Sequence, residues 1–230
     1  HMQTRHTFFT TLHATLSYPL QVTTLNKKEC KDVQNTYMPK LLPRCGIIRT
    51  AAKEIVYGPT NLGGLGFPDL HIQQLSSHIN SLIQYGSSAS ITGQLIRSVI
   101  EATTLELGIG IDIFKCITKD HPWVSWTWIW RTIRDLQMYN ISVQYPFPNL
   151  TLHRQSDKYI MQELKRKHGN KLDHTEWRKI NRVRMFLRVT TISDISESCG
   201  TQLQPNILTA TTTPSCSGNL YHWGPLLDAP

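Results

Sequence analysis

The stretch YGPTNLGGLGFPDL, residues 57–70, packs four glycines and two prolines into fourteen positions and then leads into an amphipathic run. Glycine clusters of this density either cradle a phosphate or punctuate the backbone. A P-loop needs Lys and then Ser or Thr after its last glycine, whereas Gly66 is followed by Phe67 and Pro68. A dinucleotide loop needs a preceding strand and G-x-G-x-x-G, and neither is present. Pro59 with Gly63, Gly64 and Gly66 is therefore turn chemistry, since proline fixes φ and glycine accepts positive φ. The three glycines are expected to form a structural hinge between helices, with no nucleotide-cradling role.

Outward from this loop the periodicity is helical. Residues 6–20 place Phe9, Leu12, Leu16 and Leu20 on one face up to a break at Pro19. Asn26 reads as an N-cap with Glu29 as its capping-box partner. The helix that follows would turn Cys30, Val33, Tyr37 and Leu41 inward, with Pro39 and Pro43 ending or kinking it. Thr50 would cap a short third helix. Beyond the glycines, Asp69 caps a helix with a stripe of Leu70, Ile72, Leu75, Ile79, Leu82 and Ile83, ended by Gly86. Residues 91–107 form another, with Leu95, Ile96, Val99 and Ile100 inward. Residues 123–138 carry Trp126, Trp130 and Ile133 at helical spacing beside Ile129 and Leu136. These tryptophans are expected in the core rather than as a base-stacking platform. After Pro146 and Pro148, residues 174–189 place Ile180, Val183 and Leu187 on one face and Arg178, Lys179 and Arg182 on the other. The end of the chain is rich in Thr, Ser and Pro and without periodicity.

These segments predict a mainly α-helical, bundle-like fold with an irregular C-terminal segment. Four regions are expected: a helical part with the glycine hinge (1–86), a Trp-rich helical connector (87–145), a basic helical part (146–195) and a tail (196–230). No internal repeat is present.

Composition narrows the class. The chain has 230 residues, 40% hydrophobic and 17% charged, which is ordinary globular usage. No apolar run reaches the roughly 18 residues of a membrane span, and no membrane role is expected. Five cysteines, none in C-x-x-C spacing, read as reduced thiols of an intracellular protein, nuclear or cytoplasmic. Ten histidines stand singly, so neither metal nor cofactor is expected. The opening residues, HMQTRHTFF, are neither a signal peptide nor a natural start, and the end at Pro230 reads as a cut, so the chain is expected to be a trimmed piece or a fragment of a longer reading frame.

The net charge of +8 is concentrated. Residues 154–188 hold eleven Lys and Arg against four acids, while the remainder is nearly balanced. A polyanion is the partner this asymmetry suggests. Catalytic motifs are missing: there is no G-x-S-x-G elbow and no Asp-Asp pair. Catalysis would require distant acids such as Asp112, Asp120 and Asp135 to converge around a metal.

Three stretches carry a resemblance. TLSYPLQVTTLNKKECKDVQNTYMPKLLPRCGIIRT resembles the region just after the polymerase core of non-LTR-type retroelement reverse transcriptases. YGPTNLGGLGFPDLHIQQLSSHI resembles the GGLG-x-x-D-L element that follows it, matched here by Gly63, Gly64, Leu65, Gly66, Asp69 and Leu70. This resemblance spans roughly the first third of the chain. INRVRMFLRVTTISDI, residues 180–195, is similar to a downstream block of retroelement-like reading frames. The family likeness implies a thumb or post-thumb region gripping a template–primer duplex, downstream of a palm whose Y-x-D-D motif this chain lacks. It implies RNA, DNA or an RNA–DNA hybrid as ligand, the polymerase core of the parent chain as a partner, and no polymerase activity of the piece itself. Three basic sets are candidates for phosphate contact: Arg178, Lys179 and Arg182; Lys165, Arg166 and Lys167; and Lys27, Lys28 and Lys31. The alternative is a helical scaffold or protein-interaction domain that docks onto a polymerase core through apolar residues around Trp123 and Trp130.

Overall fold

The computed structural model describes residues 1–144 and 150–197, together with 202 and 204. Among the described residues the fold is mainly helical and contains no strand. The chain divides into two compact units, His1–Gln94 and Leu95–Pro230. The segments expected over 87–145 and 146–195 thus fall in the second unit, apart from residues 87–94. The proline linker around Pro146 and Pro148, and the tail beyond residue 197 except for 202 and 204, lie outside the described residues, as do Cys199 and Cys216.

The first unit opens with α1 (Met2–Thr7), a π-helical segment (Phe8–His13) and α2 (Ala14–Leu20) in direct succession. The wider π turn shifts the helical phase. Phe8 is consequently buried, while Leu12, expected inward, is exposed. Pro19 does not break the helix but lies inside its last turn.

Helix α3 (Lys27–Arg44) begins at the expected capping box. Asn26 Oδ1 accepts the N–H groups of Lys28 and Glu29 at 2.9 and 3.0 Å, and Glu29 Oε2 accepts that of Asn26 at 2.7 Å. The helix continues through Pro39 and Pro43 instead of ending there. Its buried residues, Cys30, Gln34, Met38 and Leu42, recur at every fourth position. This stripe is offset by one residue from the expected Val33, Tyr37 and Leu41, which are only partly buried. Met38 and Leu42 join Phe8, Val56 and Phe67 in one core cluster, and Cys30 joins Leu20 and Leu70 in a second. Burial of this stripe offsets the hydrogen bonds the two prolines remove.

Helix α4 (Lys53–Tyr57) follows Ala52, which makes no side-chain cap, so Thr50 does not cap it. The glycine loop then folds back on α4. Gly64 N–H donates to Pro59 O at 3.0 Å, Leu65 N–H to Ile55 O at 2.7 Å, Gly66 N–H to Gly58 O at 2.8 Å and Phe67 N–H to Val56 O at 3.0 Å. Gly63 and Gly66 take φ of 82° and 67°, the left-handed region that glycine occupies without strain. These amides are used within the loop, which is the geometry of a backbone clasp and leaves none of the four for a phosphate.

Helix α5 (Leu70–Tyr85) is capped by Asp69, whose Oδ1 accepts from His71 and Ile72 at 2.9 and 3.2 Å. Its inner face differs from the apolar stripe expected. Ile72 and Ile83 are exposed, while His71, Gln74 and His78 are buried with Leu70, Leu75 and Leu82. The polar residues serve the connection between α2 and α3. Gln74 exchanges hydrogen bonds with the N–H and C=O of Leu25 at 3.0 and 2.8 Å, and His78 Nε2 bonds Thr23 O at 3.0 Å. A non-helical backbone buried under a helix must find such partners.

The second unit takes up α6 (Ile91–Leu107), which crosses the division, and adds α7 (Trp128–Met138), α8 (Ile160–His168) and α9 (His174–Leu187). In α6, Ile96, Ile100, Thr103 and Leu107 are buried and Leu95, expected inward, is exposed. Helix α7 starts five residues later than expected, where Thr127 Oγ1 accepts the N–H of Trp130 at 3.2 Å. Ile129, Trp130, Ile133 and Leu136 are buried as expected, but Trp126 falls before the helix and is 47% exposed. Gln137 of α7 accepts from the N–H and hydroxyl of Thr118, both at 3.2 Å, and donates to Cys116 O. This pins the 3-10 turn Thr118–Asp120 to α7. Tyr159 and Thr191 form an isolated antiparallel bridge that ties the chain before α8 to the segment after α9.

Candidate nucleic-acid interface

Helix α9 carries the first basic set. Asp173 Oδ1 accepts the N–H of Glu176 at 2.7 Å while Glu176 Oε2 accepts that of Asp173 at 2.8 Å, which fixes where the helix begins. Trp177, Ile180, Asn181, Val183 and Arg184 then face inward. That register leaves Arg178, Lys179 and Arg182 exposed on the other side, as the periodicity predicts. None of the three side chains forms an ion pair or hydrogen bond with a described residue.

The neighbouring Arg184 behaves in the opposite way, and the charge count misses it. It is 1% exposed. Its guanidinium donates to Asn181 Oδ1 at 2.9 Å, Val189 O at 3.2 Å, Glu106 O at 3.0 Å and Leu105 O. Burial draws its pKa down to about 10, with the Glu106 carboxylate opposing the shift, so it remains charged at neutral pH. Arg184 therefore closes the C-terminal end of α6, whose last carbonyls have no intrahelical partner, and ties it to the Asn181 side chain of α9 and to Val189 just after that helix. The signal for this role was in the sequence: at 100° per residue Arg184 lies about 40° from Ile180 and about 60° from Leu187, but about 120° from Arg178.

The second basic set divides. Arg166 bonds Glu163 through Nε and Nη2 at 2.9 and 2.8 Å, with Lys158 Nζ 3.9 Å from the same carboxylate. Its charge is largely answered within the fold. Lys165 instead lines a cleft of about 310 Å³ with Lys119, Asp120, His174 and Trp177. Lys167 is exposed at the end of α8. Lys165, Arg166 and Lys167 consequently do not form one face.

The third set, Lys27, Lys28 and Lys31, is exposed in the first two turns of α3, at the positive end of the helix dipole. It belongs to the first unit, whereas the other two sets belong to the second. Gly63, Gly64 and Gly66 join α4 to α5 within the first unit.

Beside the cleft lies an aromatic cluster. His121 meets Trp123 edge to face at 5.1 Å, and Trp123 lies 5.1 Å from Trp177 and donates through Nε1 to Leu107 O at 3.1 Å. Burial, helped by nearby Lys165 and opposed by Asp120, lowers the His121 pKa from 6.5 to about 4. The folded state therefore keeps this ring neutral while the unfolded chain takes up a proton. Stability contributed by the neutral ring is complete above pH 6.5 and is lost as pH falls from about 6.5 to about 4. In urea titrations at pH 7.5 and 4.5, wild type is expected to lose about 2 kcal/mol more than His121→Phe between the two conditions. Equal losses in the two proteins would remove His121 as a source of acid sensitivity.

Asp112, Asp120 and Asp135 do not come together as a metal centre. Among the described residues, no group of three or more His, Cys, Asp or Glu side chains is placed to hold a metal ion. Asp112 caps a turn by accepting the N–H of Phe114 at 3.0 Å, and buried Asp135 lies 3.3 Å from the Arg134 guanidinium. No helix among the described residues is long and apolar enough to cross a membrane. Comparison with known protein families, curated proteins and solved structures finds no match to this chain.

Proposed function

We propose that this chain binds nucleic acid through its phosphate backbone, as a non-catalytic, post-palm portion of a non-LTR-type retroelement reverse transcriptase. The observation that carries the binding is the exposed face of α9, where Arg178, Lys179 and Arg182 lie within about one helical turn and form no ion pair with an acid among the described residues. Cations left unpaired in this way release counterions from a polyanion on binding, and affinity then falls steeply with salt. An RNA–DNA hybrid would be read by shape and backbone rather than by base edges. The family assignment rests on the two motifs at residues 15–50 and 57–79. A Y-x-D-D palm motif upstream in the natural reading frame supports it, and an unrelated upstream domain overturns it.

The test of binding is fluorescence anisotropy of a labelled RNA–DNA hybrid at several salt concentrations. Wild type is expected to give log-linear weakening with salt. The variant with Arg178, Lys179 and Arg182 all replaced by Ala should bind on the order of tenfold more weakly, with a salt slope lower by roughly 2–3. Wild-type affinity and slope in a folded triple variant would make the face an ordinary solvated surface.

A second reading, docking onto a polymerase core, cannot use Trp123 and Trp130 as expected, since both are 1% exposed, and draws instead on other apolar side chains left in solvent. Phe186, 62% exposed, is the largest of these on α9, and Ile117 and Leu95 are exposed elsewhere in the same unit. Self-association of the chain at micromolar concentration, abolished by Phe186→Ser, favours this reading. A monomer under the same conditions argues against it.

A further inference from the structure

A groove of about 340 Å³ runs beside α9, and its lining combines cations with an aromatic ring. Arg178, Arg182 and Met185 come from α9, Glu106 from the end of α6, and Ser125 and Trp126 from the segment before α7. Trp123, Trp130 and Trp177 are buried in the same unit, but Trp126 is not. The Arg134 guanidinium lies 5.0 Å from the Trp126 ring centroid, and Arg134 is itself held 3.3 Å from Asp135. The indole is thus supported by a cation that α7 fixes, while nearly half of its surface stays in solvent.

We propose that this groove holds an unpaired nucleotide, its base stacked on Trp126 and its phosphate against Arg178 and Arg182. The inference rests on the nucleic-acid reading of the α9 face and deepens it by naming the form of the ligand. Arg178 and Arg182 stand four residues apart, so they neighbour each other on one side of the helix. Two unpaired guanidiniums at that spacing suit one phosphate group or two successive ones. An aromatic ring can stack only on a base whose face is free, and in a duplex those faces are covered by adjacent pairs. A concavity of this volume admits one nucleotide and excludes a double helix. Glu106 sets the polarity of the site. Its Oε1 accepts from the N–H and hydroxyl of Ser125 at 2.9 and 2.6 Å. A carboxylate repels a phosphate but accepts from the N–H edge of a base, so the phosphate belongs on the arginine side. The ligand is then a single strand, or the overhang next to a duplex that the outer face of α9 grips.

The test compares wild type, Trp126→Leu, Trp126→Phe and the Arg178→Ala/Arg182→Ala double variant. Each is titrated with a single-stranded oligonucleotide, a blunt RNA–DNA hybrid, the same hybrid with an overhang, and heparin, which has charge but no bases. Trp126→Leu is expected to weaken single-strand and overhang binding about tenfold and to leave blunt hybrid and heparin unchanged, with Trp126→Phe restoring most of the loss. The arginine variant should weaken all four ligands. If Trp126→Leu binds single strands as wild type does while the arginine variant fails, the groove inference falls and the backbone reading stands. If the arginine variant binds every ligand normally, the backbone reading itself fails. An equal loss by Trp126→Leu on all four ligands also overturns the stacking role. Acrylamide quenching gives a measurement that needs no disruptive variant. The oligonucleotide should reduce the quenching of wild type by shielding Trp126 and produce no such protection in Trp126→Phe. Quenching unchanged by a saturating oligonucleotide overturns the proposal.

Discussion

Arg184→Met should lower the stability of the second unit by about 4 kcal/mol. The substitution keeps much of the apolar stem but removes every donor. Leu105 O, Glu106 O and Val189 O, together with Asn181 Oδ1, then lose the guanidinium that bonds them. Buried acceptors stripped of their partner retain the full cost of desolvation, which makes such losses larger than the net worth of the bonds. Arg184→Lys should recover less than half of the deficit, since an ammonium on a flexible stem cannot reach acceptors on both α6 and α9 in the way a planar fork does. Gly108 shares the dependence: a Cβ there would stand 2.7 Å from the Arg184 Cζ, and its φ is 64°. The measurement is urea unfolding followed by tryptophan fluorescence, which reports the second unit because all six tryptophans lie beyond residue 94. A loss under about 1 kcal/mol would mean that water replaces the guanidinium without penalty.

The second large effect is expected at Gly64→Ala. A Cβ at this position would lie 2.1 Å from Gly58 O and 2.2 Å from Gly58 C. These are backbone atoms, so no side-chain rotation relieves the clash, and the strand of loop must move. Gly58 cannot yield toward α4, because a Cβ on it would itself meet Glu54 O at 2.4 Å. The whole clasp between residues 55–58 and 64–67 should loosen, at a cost of about 3 kcal/mol. Hydrogen exchange locates the effect: the amides of Leu65, Gly66 and Phe67, which donate to Ile55, Gly58 and Val56, should lose protection first. Gly63→Ala is the informative contrast. A Cβ there meets nothing within 4 Å, and only its φ of 82° is unfavourable, so the loss should be about 1 kcal/mol. Equal effects at the two glycines would show that positive φ, rather than close backbone approach, dictates the loop.

The helical class, the capping box of α3 and the exposure of Arg178, Lys179 and Arg182 were all legible in the sequence. Each depends on residues within a few positions of one another. Asn26 and Glu29 reach each other's backbone over three residues wherever that segment stands, and a cation opposite an apolar stripe is exposed in any helix with a core side. The same locality explains why the glycine loop could be read as a turn and separated from a phosphate cradle. Its φ requirements and its missing Lys are properties of the loop itself.

What periodicity could not supply were the facts set by distant chain segments. Gln74 and His78 took the inner face of α5 from Ile72 and Ile83 because residues 23–25 needed hydrogen-bond partners. Pro39 and Pro43 stayed helical because the apolar stripe of α3 was held against Phe8 and Val56. Trp126 left the core because α7 begins at Trp128, which places the ring in a groove between two other elements. Arg184 and Arg166 were withdrawn from the basic surface by carbonyls and a carboxylate that lie elsewhere in the second unit or one turn away. The sequence by itself determined which elements form and which cations they carry, since these follow from short-range geometry. Only tertiary structure decided that Arg184 leaves solvent while Arg178, Lys179 and Arg182 stay in it, because the Leu105 and Glu106 carbonyls that hold its guanidinium are brought there from far along the chain.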